Sequence, residues 1–126
     1  MKYKIIVTGI LKYNNKYLAV KRSNEDEYYP GSWEFPGGNI ENETLLEGLK
    51  REIKEEIGIT LTNEDIRVIN YYDEIKNNTH IIELDFLINI NKEVKIKLSN
   101  EHTDYKWLDK DSELLDEFIK NKMKYI

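Results

Sequence analysis

Residues 37–59 read GGNIENETLLEGLKREIKEEIGI. From Thr44 to Ile57 the apolar residues Leu45, Leu46, Leu49, Ile53 and Ile57 recur at helical spacing. Thr44 and Glu47 stand three apart as a capping box, and Gly58 offers a left-handed stop. The spacing predicts a helix over 44–57. On it Glu52, Glu55 and Glu56 lie three and four apart, so their carboxylates converge on one flank and repel one another. Glu56 falls inside the edge of the apolar stripe and Glu52 just beside it, where an uncompensated carboxylate is costly to desolvate. A divalent cation offsets both penalties, since hard ions prefer oxygen ligands and Mg2+ combines a few carboxylates with water and substrate phosphates. A charge run of this kind is more commonly a solvated helix face, so the flanking residues must decide.

Working outward, residues 3–11 read as a strand, Asn14-Asn15 as its turn and Tyr17 to Val20 as the returning strand. Residues 23–32 (SNEDEYYPGS) are polar and contain Pro30-Gly31, which marks a loop before a brief extended piece from Trp33 to Phe35. Downstream, Ile82, Leu84, Phe86, Ile88 and Ile90 alternate with mainly polar residues, as do Val94, Ile96 and Leu98. Each run predicts a strand with one buried face, turned at Asn77-Asn78 and Asn91-Lys92. A short strand follows at Tyr105 to Leu108. Leu114, Leu115, Phe118, Ile119 and Met123 then outline an amphipathic last helix, whose Lys120, Lys122 and Lys124 suit the negative end of its dipole. Strands grouped around a central helix and closed by a terminal one predict a mixed sheet between helices, an α+β sandwich.

The chain has 126 residues, enough for one core, and is expected to be a single domain over 1–126. A net charge of -5 argues against sequence-independent nucleic-acid binding, which relies on Lys and Arg. A phosphorylated partner would then need a metal ion for its positive charge. The absence of Cys excludes disulfides and thiolate metal sites, and the first apolar stretch, Ile5 to Leu11, is too short for a membrane span. A cytoplasmic protein, monomeric or homodimeric and away from membranes, is the expectation.

The quoted segment resembles the Nudix box, GX5EX7REUXEEXGU with U an apolar residue. Gly37, Glu43, Arg51, Glu52, Ile53, Glu55, Glu56, Gly58 and Ile59 occupy its defined places. The likeness continues in KRS at 21–23, PGSWEFPGG at 30–38 and EHTDYKWL at 101–108. It implies a Nudix-like α/β/α sandwich and a hydrolase of nucleoside diphosphate derivatives dependent on Mg2+, with Mn2+ as a substitute. Glu52, Glu55 and Glu56 would be metal ligands, joined by a backbone carbonyl at Gly37 or Gly38. Arg51 would hold the carboxylates in place, with Glu43 as its partner.

Relatives often add an acidic residue beyond the box, and Glu101 is the best positional match. Glu52, Glu55, Arg51 and Glu101 are thus the candidate catalytic set. Glu83 and Asp85 are read as exposed. His102 is read as a non-ligand, because no second His lies at metal-binding spacing. Two departures from the pattern stand out. Counted from Glu41, the loop to Glu43 is one residue shorter than usual, with Asn42 where Gly is usual and a left-handed turn is expected. Gly48 replaces the usual Ala.

Among substrate classes, ADP-ribose enzymes often carry a Pro about fifteen residues after the box, yet no Pro follows Pro36. Coenzyme A hydrolases show a second upstream Arg, and none lies between Arg22 and Arg51. The chain looks most like the MutT-type group, which converts nucleoside triphosphates to a monophosphate and pyrophosphate. Arg22, Tyr28, Tyr29 and Trp33 are its candidate substrate-binding residues, the aromatics as a stacking platform for the base. The alternatives are an ADP-ribose or other nucleotide-sugar pyrophosphatase, a non-catalytic nucleotide-binding Nudix module, and an RNA-end hydrolase. An intact set of acidic box positions argues against the module, and the acidic charge against the RNA enzyme.

Overall fold

Asn14 and Asn15 adopt φ of 49° and 62°, the paired left-handed geometry of a two-residue hairpin turn. In this computed structural model, which describes residues 1–62, 64–124 and 126, they join β1 (Lys2–Tyr13) to β2 (Lys16–Arg22). The two strands pair only at Lys12↔Tyr17 and Tyr13↔Lys16, then separate. Into the opening run β3 (Trp33–Glu34), paired with β2, and β4 (Gly37–Asn39), paired with β1. On its other side β1 runs parallel to β6 (Thr79–Asn89), which pairs antiparallel with β5 (Asp65–Lys76) through a second Asn turn, Asn77-Asn78. β7 (His102–Leu108) lies antiparallel along β2. The result is the expected mixed sheet.

Helix α1 (Leu45–Ile57) forms as its sequence predicts, with both hydrogen bonds of the Thr44/Glu47 capping box and with Gly58 at φ 74°. It packs one face of the sheet, where Leu49, Ile53 and Ile57 meet Val7, Leu11, Leu18, Val20 and Ile88. A Cβ on Gly9 would stand 2.7 Å from Ile53 Cδ1, so the glycine lets α1 approach β1 closely. The opposite face buries Ile10, Tyr17, Ala19, Phe35, Leu87 and Leu108 under Leu115, Ile119 and Met123. The last helix, α2 (Glu117–Lys122), is shorter than its apolar pattern suggests. Leu114 and Leu115 precede it, and Asp116 caps it by accepting from Ile119 N at 2.8 Å.

Three expectations are corrected. Residues 94–98 alternate in burial as predicted but form no strand. Instead Lys97 N and Ser99 N donate to the carbonyls of Ile57 and Glu56, satisfying the open C-terminal end of α1. Lys122 does not merely face the helix dipole, because it is buried and paired with Glu83 and Asp85 on β6. Those two residues are therefore not exposed: Asp85 is wholly buried and Glu83 partly so.

Candidate active site

The glycines of β4 lie directly against the acidic flank of α1. A Cβ on Gly38 would collide with the Glu52 carboxylate, and one on Gly37 with the backbone of Val7 and Thr8, so both positions require the missing side chain. Arg51 ties this flank to the preceding loop. Its Nε donates to both Glu43 oxygens at 3.1 Å, its Nη2 to Asn39 O at 2.9 Å, and its Nη1 to Glu52 at 2.8 Å and Glu55 at 3.3 Å. The shortened loop closes without a left-handed residue. Asn42 is not among the positive-φ positions, contrary to expectation, and Glu43 N instead donates to Glu41 O at 2.6 Å, a three-residue turn. Gly48 fits the same compression, since a Cβ there would strike Ile40 and approach Glu43.

Burial and charge crowding act together on the carboxylates. Glu56 is 7% exposed, and burial pushes its carboxyl up to about 8. The backbone N–H of Gly37, at 3.1 Å, opposes that rise, while Glu34, Glu52 and Glu101 add to it. Burial also raises Glu52, against the pull of Arg51. Arg51 holds Glu43 below the ordinary carboxylate range. Glu55 is exposed on the rim, within reach of Arg51.

The strap that caps α1 delivers Glu101 and His102 to this flank. A carboxylate oxygen of Glu56, one of Glu101 and a ring nitrogen of His102 all lie within 4.8 Å of one another. His102, read from sequence as a non-ligand, is thus placed inside the cluster. Its Nε2 sits 2.9 Å from Glu34 Oε2, and the other Glu34 oxygen accepts from Arg22 Nη1 at 2.8 Å. Arg22 Nη2 in turn pairs with Asp26 at 3.0 Å, fixing the start of the 23–32 loop. Sequence reasoning passed over Glu34, although a charge between Trp33 and Phe35 in so short a strand was a usable signal. Tyr28 and Tyr29 are largely exposed on that loop, whereas Trp33 is half-buried under Lys106, whose Nζ lies 5.5 Å from its ring.

Whether these residues suit a divalent ion is answered by Glu56. It is buried amid three other carboxylates, and no salt bridge joins it to a cation among the described residues. Carboxylates crowded in this way match hard-cation chemistry.

A family model described as NUDIX domain matches residues 3–126. The nucleoside triphosphatase NudI of Shigella flexneri is 34% identical over 119 residues, covering 86% of this chain and 83% of its own length. Its Escherichia coli counterpart matches to the same extent. The crystal structure of a MutT protein from Methanosarcina mazei Go1 superposes with a TM-score of 0.81 at 26% identity, covering 98% of this chain and 91% of that one. A MutT Nudix hydrolase from Burkholderia pseudomallei gives the same TM-score at 20% identity, covering 100% and 99%, and so shares the fold. With its box residues gathered on one helix flank and its fold shared across these proteins, the chain belongs to the Nudix hydrolase family.

Proposed function

We propose that this hydrolase converts nucleoside triphosphates to a monophosphate and pyrophosphate with Mg2+ or Mn2+. The observation that carries the reading is the acidic flank beside Gly37-Gly38, where the buried Glu56 pairs with no cation among the described residues, Glu52 is partly buried and held by Arg51, and Glu101 lies alongside. The relatives named nucleoside triphosphatase support the choice of substrate. Glu52, Glu55, Glu56 and a carbonyl at Gly37 or Gly38 would hold the ion, which neutralises phosphate charge and makes water a better nucleophile near neutral pH. Arg51 keeps the carboxylates in register by binding Glu43, Glu52 and Glu55 at once. Glu55 and Glu101 are exposed, so they reach solvent and substrate, and one of them accepts the proton of the attacking water. Water attacks the β-phosphorus, the bond to the α–β bridging oxygen breaks, and the monophosphate leaves with that oxygen. Arg22, through Asp26, shapes the loop that brings Tyr28 and Tyr29 over the base, with Trp33 at its root.

Turnover of a nucleotide panel with Mg2+ in oxygen-18 water tests this. Triphosphates are expected to exceed ADP-ribose, dinucleoside polyphosphates and coenzyme A, with the label in pyrophosphate. Label in the monophosphate would move the attack to the α-phosphorus, and orthophosphate as the sole phosphate product would overturn the assignment. Chelation should abolish turnover.

A further inference from the structure

His102 is buried, with its side chain 3% exposed, and its two ring nitrogens differ in their surroundings. Nε2 faces Glu34 Oε2 at 2.9 Å. A carboxylate only accepts, so Nε2 carries the hydrogen, and in the neutral ring Nδ1 is left as a lone pair. Nδ1 is buried and has no hydrogen-bond partner among the described residues. An acceptor buried in that way is costly unless something binds it. A ring nitrogen of this same residue lies within 4.8 Å of carboxylate oxygens from Glu56 and Glu101. A carboxylate behind the imidazole is also the arrangement that fixes the tautomer and orientation of metal-binding histidines.

Resting on the reading of this flank as a metal site, we propose that His102 supplies an inner-sphere nitrogen ligand, through Nδ1, to a divalent ion shared with Glu56 and Glu101. The site then differs in kind from an all-oxygen one. Imidazole suits the later first-row ions such as Fe2+, Ni2+ and Zn2+, and affinity for a mixed nitrogen and oxygen site rises from Mn2+ to Co2+, whereas Mg2+ favours oxygen. This chain is built to prefer a transition-metal ion at that position, with Co2+ bound more tightly than Mn2+ and both more tightly than Mg2+. Glu34 acts through the ring as a positioning residue, and Arg22, by holding the other Glu34 oxygen at 2.8 Å, keeps that carboxylate in place.

The test is pulsed electron paramagnetic resonance on chelator-stripped protein reloaded with Mn2+. Nitrogen-14 modulation from a directly bound imidazole is expected. It should be replaced by a nitrogen-15 pattern when only histidine is labelled, in a His80→Gln background that leaves His102 as the one remaining histidine. This version leaves His102 itself unaltered, so it does not depend on the folding of a His102 variant. In parallel, His102→Gln should weaken Mn2+ and Co2+ binding by about 10- to 100-fold, measured by calorimetry, and Mg2+ binding far less. Bound Mn2+ without nitrogen modulation would overturn the His102 proposal while leaving the metal site intact. Failure of Mn2+ and Mg2+ to bind at all would remove the metal reading and this proposal with it.

Discussion

Replacing Glu56 with Gln in metal-free protein should stabilise the fold, and the gain should depend on pH. The carboxyl has an ordinary value of 4.5 and is pushed up to about 8 in the folded chain. A group raised in this way binds its proton more tightly when folded, so ionisation opposes folding. The penalty is absent well below 4.5, grows as pH rises and levels off above about 8. Linkage puts it at about 1 kcal/mol at pH 5 and about 3 kcal/mol at pH 7. Gln has no charge to desolvate and still accepts from Gly37 N. Urea unfolding of both proteins in chelator at pH 5 and pH 7 measures the difference, in which titrating groups remote from Glu56 cancel. Saturating divalent ion should reverse the order at pH 7, because it binds the ionised wild type. Turnover of the variant should fall by several orders of magnitude, while Glu47→Gln, confined to the capping box, should leave it nearly unchanged. A Glu56→Gln protein less stable than wild type in chelator, or a difference flat in pH, would refute the reasoning.

Gly38→Ala should lower kcat by about 100-fold with little change in melting temperature, since its Cβ displaces the Glu52 carboxylate by an ångström or more. Ile53→Ala should cost about 2–5 kcal/mol by urea unfolding, as a wholly buried contact of α1 on β1 is lost. Lys122→Met should destabilise by about 3–5 kcal/mol, because Asp85 loses the cation that opposes its burial. That loss should be larger at pH 8 than at pH 6, where Asp85 can take up a proton instead.

Helix α1 was legible because its stop signals, apolar spacing and acidic flank all agree within one segment. β5 was not legible, for a definite reason. It is an edge strand whose Val68, Tyr71 and Ile75 are exposed, and a register shift between Val68 and Asn70 breaks its alternation. Residues 94–98 failed in the opposite way: period-two burial reports a covered face, and the helix terminus, not a neighbouring strand, receives their backbone hydrogen bonds. Glu83 and Asp85 were misread because the polar side of a strand was equated with solvent, whereas α2 covers that side of β6. His102 was dismissed for lack of a second His nearby in sequence. Its partners, Glu34 and Glu56, are far off in the chain and meet it only through the β2–β7 pairing and the strap under α1.

The two faces of the sheet hold buried acids in contrasting company, and the contrast distinguishes a metal site from a structural one. Asp85, Thr8 and Gly37 are in register across β6, β1 and β4, so the two outer backbones are about 10 Å apart at the usual strand spacing. Burial raises Asp85 and Glu56 alike. On the α2 side Lys122 reaches over to Asp85 and Glu83, so the chain itself supplies a cation to both acids and the cluster pins the helix to the sheet. On the α1 side Arg51 is engaged with Glu43, Glu52 and Glu55, and among the described residues the buried Glu56 accepts from a backbone N–H and pairs with no cation. A fold able to supply a lysine to one buried acid leaves another without one beside Glu34, Glu52 and Glu101. A structural acid in that position gains nothing from its burial, whereas a ligand gains an ion that only the folded chain can bind tightly.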